Sequence, residues 1–333
     1  MRKLAAEFLS TSAGLRTPEL LLRLTLPAIL LTCGGFAEPL TAFAEGPKVE
    51  QPAQHLDKHG NLKGKDAIPF SYVDDPIVAI VERVPELLTL ESSDDQEILS
   101  SILVNTGQRV QLFLNDIVDI TATEDVMQEK LYSDGDPKDK RKERFDYMIL
   151  ARSPGDARLL EEYRTDLRGN PVDQGGLEQG YTITWGFATT CLHLAPRYQG
   201  GSRFRYLGTD RFNSSEVYVV AFAQRPDKAQ ITGKVSIGDF GQTLFTQGIV
   251  WIAKSNFQIL RMRTDLLKPG VIIKQTTDVK FADVHVEGLT QTFWLPQEVT
   301  VESKRIGERL RNRHQYSNYR RFRVSAVIKP GNS

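Results

Sequence analysis

The chain has 333 residues, 40% hydrophobic and 25% charged, with 42 Lys and Arg against 42 Asp and Glu. This is the range of ordinary globular proteins with enough apolar material for a sizeable core, and it excludes a chain too polar to fold. The neutrality hides an asymmetry. Glu86 to Asp136 carries twelve carboxylates against Arg109 and Lys130, whereas Lys304 to Arg323 has a net charge of +7.

The first segment combines early basic residues with an apolar run, Leu24 to Leu31, and small-residue sites ending at Ala37 and Ala44. That is the layout of a secretory signal peptide over 1–44, and the apolar run is too short to be a stable bilayer span. A soluble, periplasmic or secreted product is expected. Cleavage at either site removes Cys33 and leaves Cys191 as the lone cysteine, so no intramolecular disulfide can form. A second reading lipidates the chain at Cys33, but Thr32 stands where Gly, Ala or Ser is usual.

Residues 45–70 are polar, rich in Pro, Lys and Gly, and without apolar period, which predicts a flexible linker. His55 and His59 lie four apart here, but nothing predicts a helix or a third ligand, so no metal is expected. One domain is expected over 71–330. It starts with Asp74-Asp75-Pro76 as the N-terminus of a short helix with Ile77, Ile80, Val81 and Val84 on one face. A second helix is expected from Ser93, with Gln96 as capping-box partner and an apolar stripe of Ile98, Leu99, Ile102, Leu103, Val110 and Phe113. Gly107 weakens its middle. This stripe fits either packing on a sheet or a mobile lid over a pocket.

From Asp116 the period becomes alternating. Ile117 to Lys130, Arg144 to Arg152 and Ala157 to Arg164 read as strands joined by hairpin turns at 133–137 and 153–156. Asp134, Asp136 and Asp139 do not make a calcium loop, because the glycine is misplaced and Phe145 stands where the last glutamate should be. Leu167 to Gly201 is glycine-rich and encloses a short helical stretch around Phe187, Cys191 and Leu194. Cys191 and His193 are two apart and cannot face each other on a helix, so the cysteine reads as structural.

Further strands are predicted at 203–208, 217–224, 244–253, 257–265, 271–286, 292–304 and 309–324. Within the hairpin at 248–267, Val250, Ile252, Leu260 and Met262 are expected on one face and Trp251 and Ala253 on the other. The total is about ten strands in near-continuous antiparallel succession. That predicts an α+β, mostly β protein built on one large curved sheet.

Gly248, Trp251, Ile252, Phe257, Ile259 and Arg261, with Trp294-Leu295-Pro296 and the closing strand Tyr316 to Val324, give the chain a family look. It resembles the superfamily of outer-membrane lipoprotein carriers and sorting proteins, the LolA/LolB-like fold. The resemblance implies an unclosed half-barrel around an apolar cavity, with N-terminal helices and the mid-chain insertion covering its concave face, and acyl chains as ligands. Trp185, Phe187, Phe204, Tyr206, Tyr218, Phe222, Trp251 and Phe293 are the candidates to line that cavity.

The expected partner is a lipid or lipoprotein acyl chain, bound without catalysis by a monomer. In an alternative reading the chain is an envelope interaction or sensor module. Arg309, Arg311, Arg313, Arg320, Arg321 and Arg323 then dock on an acidic envelope protein, an anionic membrane surface or the chain's own acidic half. Export argues against nucleic acid. The five histidines have neither metal spacing nor a paired acid, and no nucleophile elbow or phosphate loop is present, so no catalytic residue, cofactor or metal is assigned.

Overall fold

The computed structural model describes residues 70–322 apart from 153–158, 173–185, 238–239, 271 and 306. The expected leader, nearly all of the expected linker, Trp185 and Arg323 lie outside the described residues. The chain forms α1 (Ile77–Arg83), a 3-10 turn (Pro85–Leu87), β1 (Glu91–Ser92), α2 (Glu97–Asp116), β2 (Ile120–Leu131), β3 (Pro137–Arg152) and β4 (Leu159–Thr165). A 3-10 turn (Thr190–Leu194) and α3 (Pro196–Gln199) follow, then β5 (Ser202–Phe212), β6 (Ser215–Gln224), β7 (Gly233–Ile237) and β8 (Phe240–Leu244). The rest is β9 (Thr246–Ala253), β10 (Ile259–Leu266), β11 (Lys274–His285), β12 (Thr292–Arg305) and β13 (Glu308–Arg321).

Eleven strands form one antiparallel sheet in the order β1-β5-β6-β9-β10-β11-β12-β13-β2-β3-β4. Its ends, β1 and β4, do not pair, so the sheet is unclosed, as expected. β7 and β8 form a separate hairpin that interrupts the meander. The strand expected over 244–253 is therefore two: Leu244 ends β8, and β9 begins at Thr246.

The alternation of buried residues separates two faces. On the inner face, Tyr147 and Ile149 of β3, Val299 and Val301 of β12, Val250 and Ile252 of β9, and Tyr206 of β5 belong to one apolar cluster. Strands that are remote in the sheet order share that cluster through α2 and the 187–198 segment, which requires the sheet to curve around them. On the outer face a smaller cluster joins Val217, Val219 and Ala221 of β6 to Ile249 and Trp251 of β9. α1 and the Pro85–Leu87 turn cover it with Ile80, Val84 and Leu87. Each such fully buried side chain contributes about 1.5–3 kcal/mol. Of the helices expected on the concave face, α1 thus lies on the opposite side.

Two local expectations are corrected. The register of β9 with β10 shifts between Ile259 and Arg261, so Ile259 stays opposite Ile252 while Arg261 meets Trp251. The extra residue turns Leu260 to the outer cluster, away from Val250, Ile252 and Met262. A one-residue slip in a period of two reverses the face. The capping box at Ser93 is also absent. α2 begins at Glu97, and Gln96 instead grips the backbone of Tyr206, donating to its carbonyl and accepting from its N–H, both at 2.9 Å.

The segment before β1 is strapped across the outer face. Tyr72 donates its hydroxyl to Asp265 at 2.6 Å and its N–H to Gln247 at 3.0 Å. Glu86 accepts from Arg261 at 2.7 Å, and the Arg261 guanidinium lies 4.7 Å from the Trp251 ring centre. Arg203 forms two hydrogen bonds with Asp74, at 2.6 and 2.5 Å.

Candidate functional site

The inner face is apolar along most of its length, and α2 and the segment 186–199 cover it. α2 presents Ile102, Val110 and Leu114 to the sheet, a spacing that keeps them on one helix face. The 186–199 segment crosses α2 at Gly107. A Cβ there would stand 3.1 Å from the Leu194 carbonyl and 3.2 Å from Pro196 Cγ, so the glycine permits the close approach. Gln199 donates to the carbonyls of Leu103 at 2.9 Å and Leu194 at 2.7 Å, joining the two parts of the cover.

One carboxylate fixes the start of this segment. Glu162 of β4 accepts the N–H groups of Gly186 and Phe187 at 3.0 Å each and of Thr189 at 3.1 Å, together with the Tyr147 hydroxyl. Burial holds its carboxyl above the usual range, against the pull of the Tyr147 hydroxyl, Arg164 and these amides.

A buried polar group occupies the same face where β13, β2, β3 and β4 run side by side. Arg164 of β4 binds Glu124 of β2 through both oxygens, the Nη2–Oε1 contact being 2.7 Å. His314 Nδ1 lies 2.8 Å from the same Oε1, and Tyr316 donates to it at 2.7 Å. Burial pushes the Glu124 carboxyl up, but Arg164 and His314 overcome this and hold it at about 2. Burial also lowers His314, more than Glu124 restores, so the ring is neutral near pH 7. With its N–H donated from Nδ1 to Glu124, Nε2 remains an acceptor. That atom and Gln128 Oε1 are buried without a hydrogen-bond partner among the described residues. Phe187 covers the group, its ring centre 5.0 Å from that of His314.

Of the eight cavity candidates, Phe187, Phe204, Tyr206, Tyr218, Phe222 and Phe293 lie together on the inner face. Trp251 is on the outer face under the N-terminal strap, because its strand neighbours Val250 and Ile252 take the inner positions. Cys191 is buried, donates to the Ala188 carbonyl at 3.3 Å, and burial pushes its thiol up to about 12. The His193 ring lies tilted against Phe222 with ring centres 5.1 Å apart, and burial lowers it to about 4. Among the described residues no group of three or more His, Cys, Asp or Glu is placed to hold a metal, and no helix is long and apolar enough to cross a membrane.

The basic candidates divide. Arg311 and Arg313 both bind Glu129 of β2, at 2.7 and 2.5 Å, and Arg309 lies 3.4 Å from Glu302. Arg320 reaches Asp146 at 4.0 Å, and Arg321 is exposed. The chain's own acidic half therefore takes part of the charge. The Glu124–Arg164–His314 group was not foreseen from the sequence, since its members are 40 and 190 residues apart.

No protein-family model and no curated protein matches the chain. Among solved structures, the chain is similar to a DUF1329 family protein from Desulfovibrio piger, with 10% identity, 68% of this chain and 94% of that chain covered, and a TM-score of 0.40. It is also similar to an outer membrane lipoprotein-sorting protein domain from Vibrio parahaemolyticus, with 12% identity, coverage of 65% and 91%, and a TM-score of 0.39. A LolA superfamily protein from Nitrosomonas europaea has 9% identity, coverage of 68% and 94%, and a TM-score of 0.31.

Proposed function

We propose that the protein is a non-enzymatic, periplasmic binder of an acyl chain or comparable apolar ligand, which it holds against the inner face of its half-barrel. One observation carries this reading. A continuous apolar sheet face is closed by a single helix and a short segment rather than by a second sheet, and the segment's polar ties centre on Glu162 and Gln199. Such a cover can lift without dismantling the sheet, whose own hydrogen bonds stay intact. Phe204, Tyr218 and Phe222 then supply the apolar wall. The two buried acceptors, His314 Nε2 and Gln128 Oε1, offer a place for a hydroxyl or amide N–H of the ligand.

Native mass spectrometry of the purified chain, followed by titration with a fluorescent long-chain fatty acid and with monoolein, tests the reading. A lipid-sized adduct and saturable binding are expected. Phe204→Lys and Tyr218→Lys, at half-buried positions, should weaken binding by about tenfold or more, the equivalent of losing one buried aromatic contact. Protein that is always empty and binds neither probe would overturn it.

A further inference from the structure

The outer face of the sheet is divided. The N-terminal strap covers β5, β6, β9 and β10, while the outer positions of β11, β12, β13, β2 and β3 present charge. Register places the charges on that one face. Lys274 is opposite Lys304, and Lys304 is opposite Arg309, so three cations stand in a row across three adjacent strands. In the next rows Arg311 is opposite Glu129 and Glu129 opposite Lys140, then Arg313 opposite Met127 and Met127 opposite Lys142. Arg144 closes the series opposite Asp125, and Lys138 takes the alternate position before Lys140.

With Asp278 in the row of Arg313, and Lys280 and Glu298 in the row of Arg144, ten cations therefore share the face with five acids: Asp125, Glu129, Asp278, Glu298 and Glu302. The surplus is five, or three when Asp134 and Asp136 of the β2–β3 turn are included. Lys138, Lys142, Lys274 and Lys304 are exposed and make no ion pair among the described residues. Lys140 is 58% and Arg144 55% exposed in their side chains. Like charges directly opposite one another destabilise a sheet, and Glu302, 3.4 Å from Arg309, offsets only part of the Lys274–Lys304–Arg309 row.

The edge of the face identifies the partner. β2 ends, β3 begins, β12 ends and β11 begins at one rim of the sheet. Two large apolar residues are exposed there: Tyr132, 52% exposed, in the turn after β2, and Ile273, 39% exposed, whose N–H donates to the Lys304 carbonyl at 2.8 Å. A protein interface concentrates apolar residues at its centre inside a polar rim. Here the order is reversed, with cations across the face and apolar side chains at its edge. That is the arrangement in which Lys and Arg reach phosphates while apolar tips enter the headgroup layer.

We propose that this outer face, with the rim carrying Tyr132 and Ile273, docks the protein on a membrane surface rich in anionic headgroups. The docking is independent of whether the inner face holds a ligand, and it draws on the lysines of β3 and β11 as well as on the arginines of β13. Each cation lost should weaken adsorption by about fivefold.

The chain beginning at Glu45, which keeps every residue of the described fold, is tested by co-sedimentation with vesicles. Pure phosphatidylcholine vesicles are compared with mixed phosphatidylcholine–phosphatidylglycerol vesicles, at low and high salt. Adsorption to the mixed vesicles alone, weakening with salt, is expected. Lys138→Glu with Lys142→Glu should abolish it without lowering the melting temperature. Tyr132→Ser should reduce what persists at high salt, and Lys228→Glu, away from the face, should change nothing. Equal adsorption to both vesicles, none to either, or indifference to the β3 reversal overturns the proposal. Binding to polyglutamate but not to vesicles also overturns it, in favour of an acidic protein partner.

Discussion

The Glu124 carboxylate lies between Arg164 and His314, and one of its oxygens, Oε1, accepts from Arg164, His314 and Tyr316 at 2.7–2.8 Å inside the sheet. Removing one partner of such a buried pair leaves the other charge without compensation. Arg164→Met should therefore cost about 3–5 kcal/mol in urea unfolding. The double variant Glu124→Gln/Arg164→Met should recover a measurable part of that loss. If the single and double variants are equally unstable, the two charges are not coupled.

Stability should fall with pH in two stages. His193 is lowered by burial from 6.5 to about 4, so its contribution is complete above 6.5 and lost as pH falls towards 4. The loss is on the order of 3 kcal/mol, and His314 shifts in the same direction. Glu124, held at about 2 against a usual 4.5, adds stability that is complete above 4.5 and lost between 4.5 and 2. Thermal melts of the wild type and His193→Phe across this range check the sign, with the variant expected to show a shallower slope above pH 4 only.

Glu162→Gln keeps the shape of the side chain but removes the charge that three backbone amides share. Hydrogen exchange of residues 186–194 should accelerate by about tenfold or more, while the amides of β6 and β9 keep their protection. Uniform acceleration across the sheet would show that the segment is not a separately opening unit.

Gly248 has no room for a side chain. A Cβ would stand 2.2 Å from the Arg263 carbonyl and 2.6 Å from Phe222 Cε1, and the carbonyl belongs to the neighbouring strand. Gly248→Ala should destabilise by about 1–3 kcal/mol, read as a lower urea midpoint at unchanged slope.

Most long strands were legible because their alternation is strong, and most of the inner aromatic set followed from it. β3, however, starts at Pro137 rather than at Arg144, because the charged run 138–144 has no apolar alternation to show. Leu260 was not legible, because the bulge that redirects it is set by pairing with β9 and leaves no mark in the local pattern. Gln96 reads as a cap, since its distant partner, the Tyr206 backbone, is invisible in a window of a few residues. β7 and β8 were missed because five-residue strands offer too few alternations to register. The Glu124–Arg164–His314 group arises only when β13 returns beside β2, and a lone buried acid, arginine or histidine carries no signal of its own.

β6 shows what a two-sided sheet means for experiment. Tyr218, Val220 and Phe222 belong to the space under the cover, whereas Val217, Val219 and Ala221 belong to the strap side. Neighbouring residues on this strand therefore report from separate compartments. Probes at Tyr218 and Val219 would follow, one residue apart, the opening of the cover and the hold of the N-terminal segment.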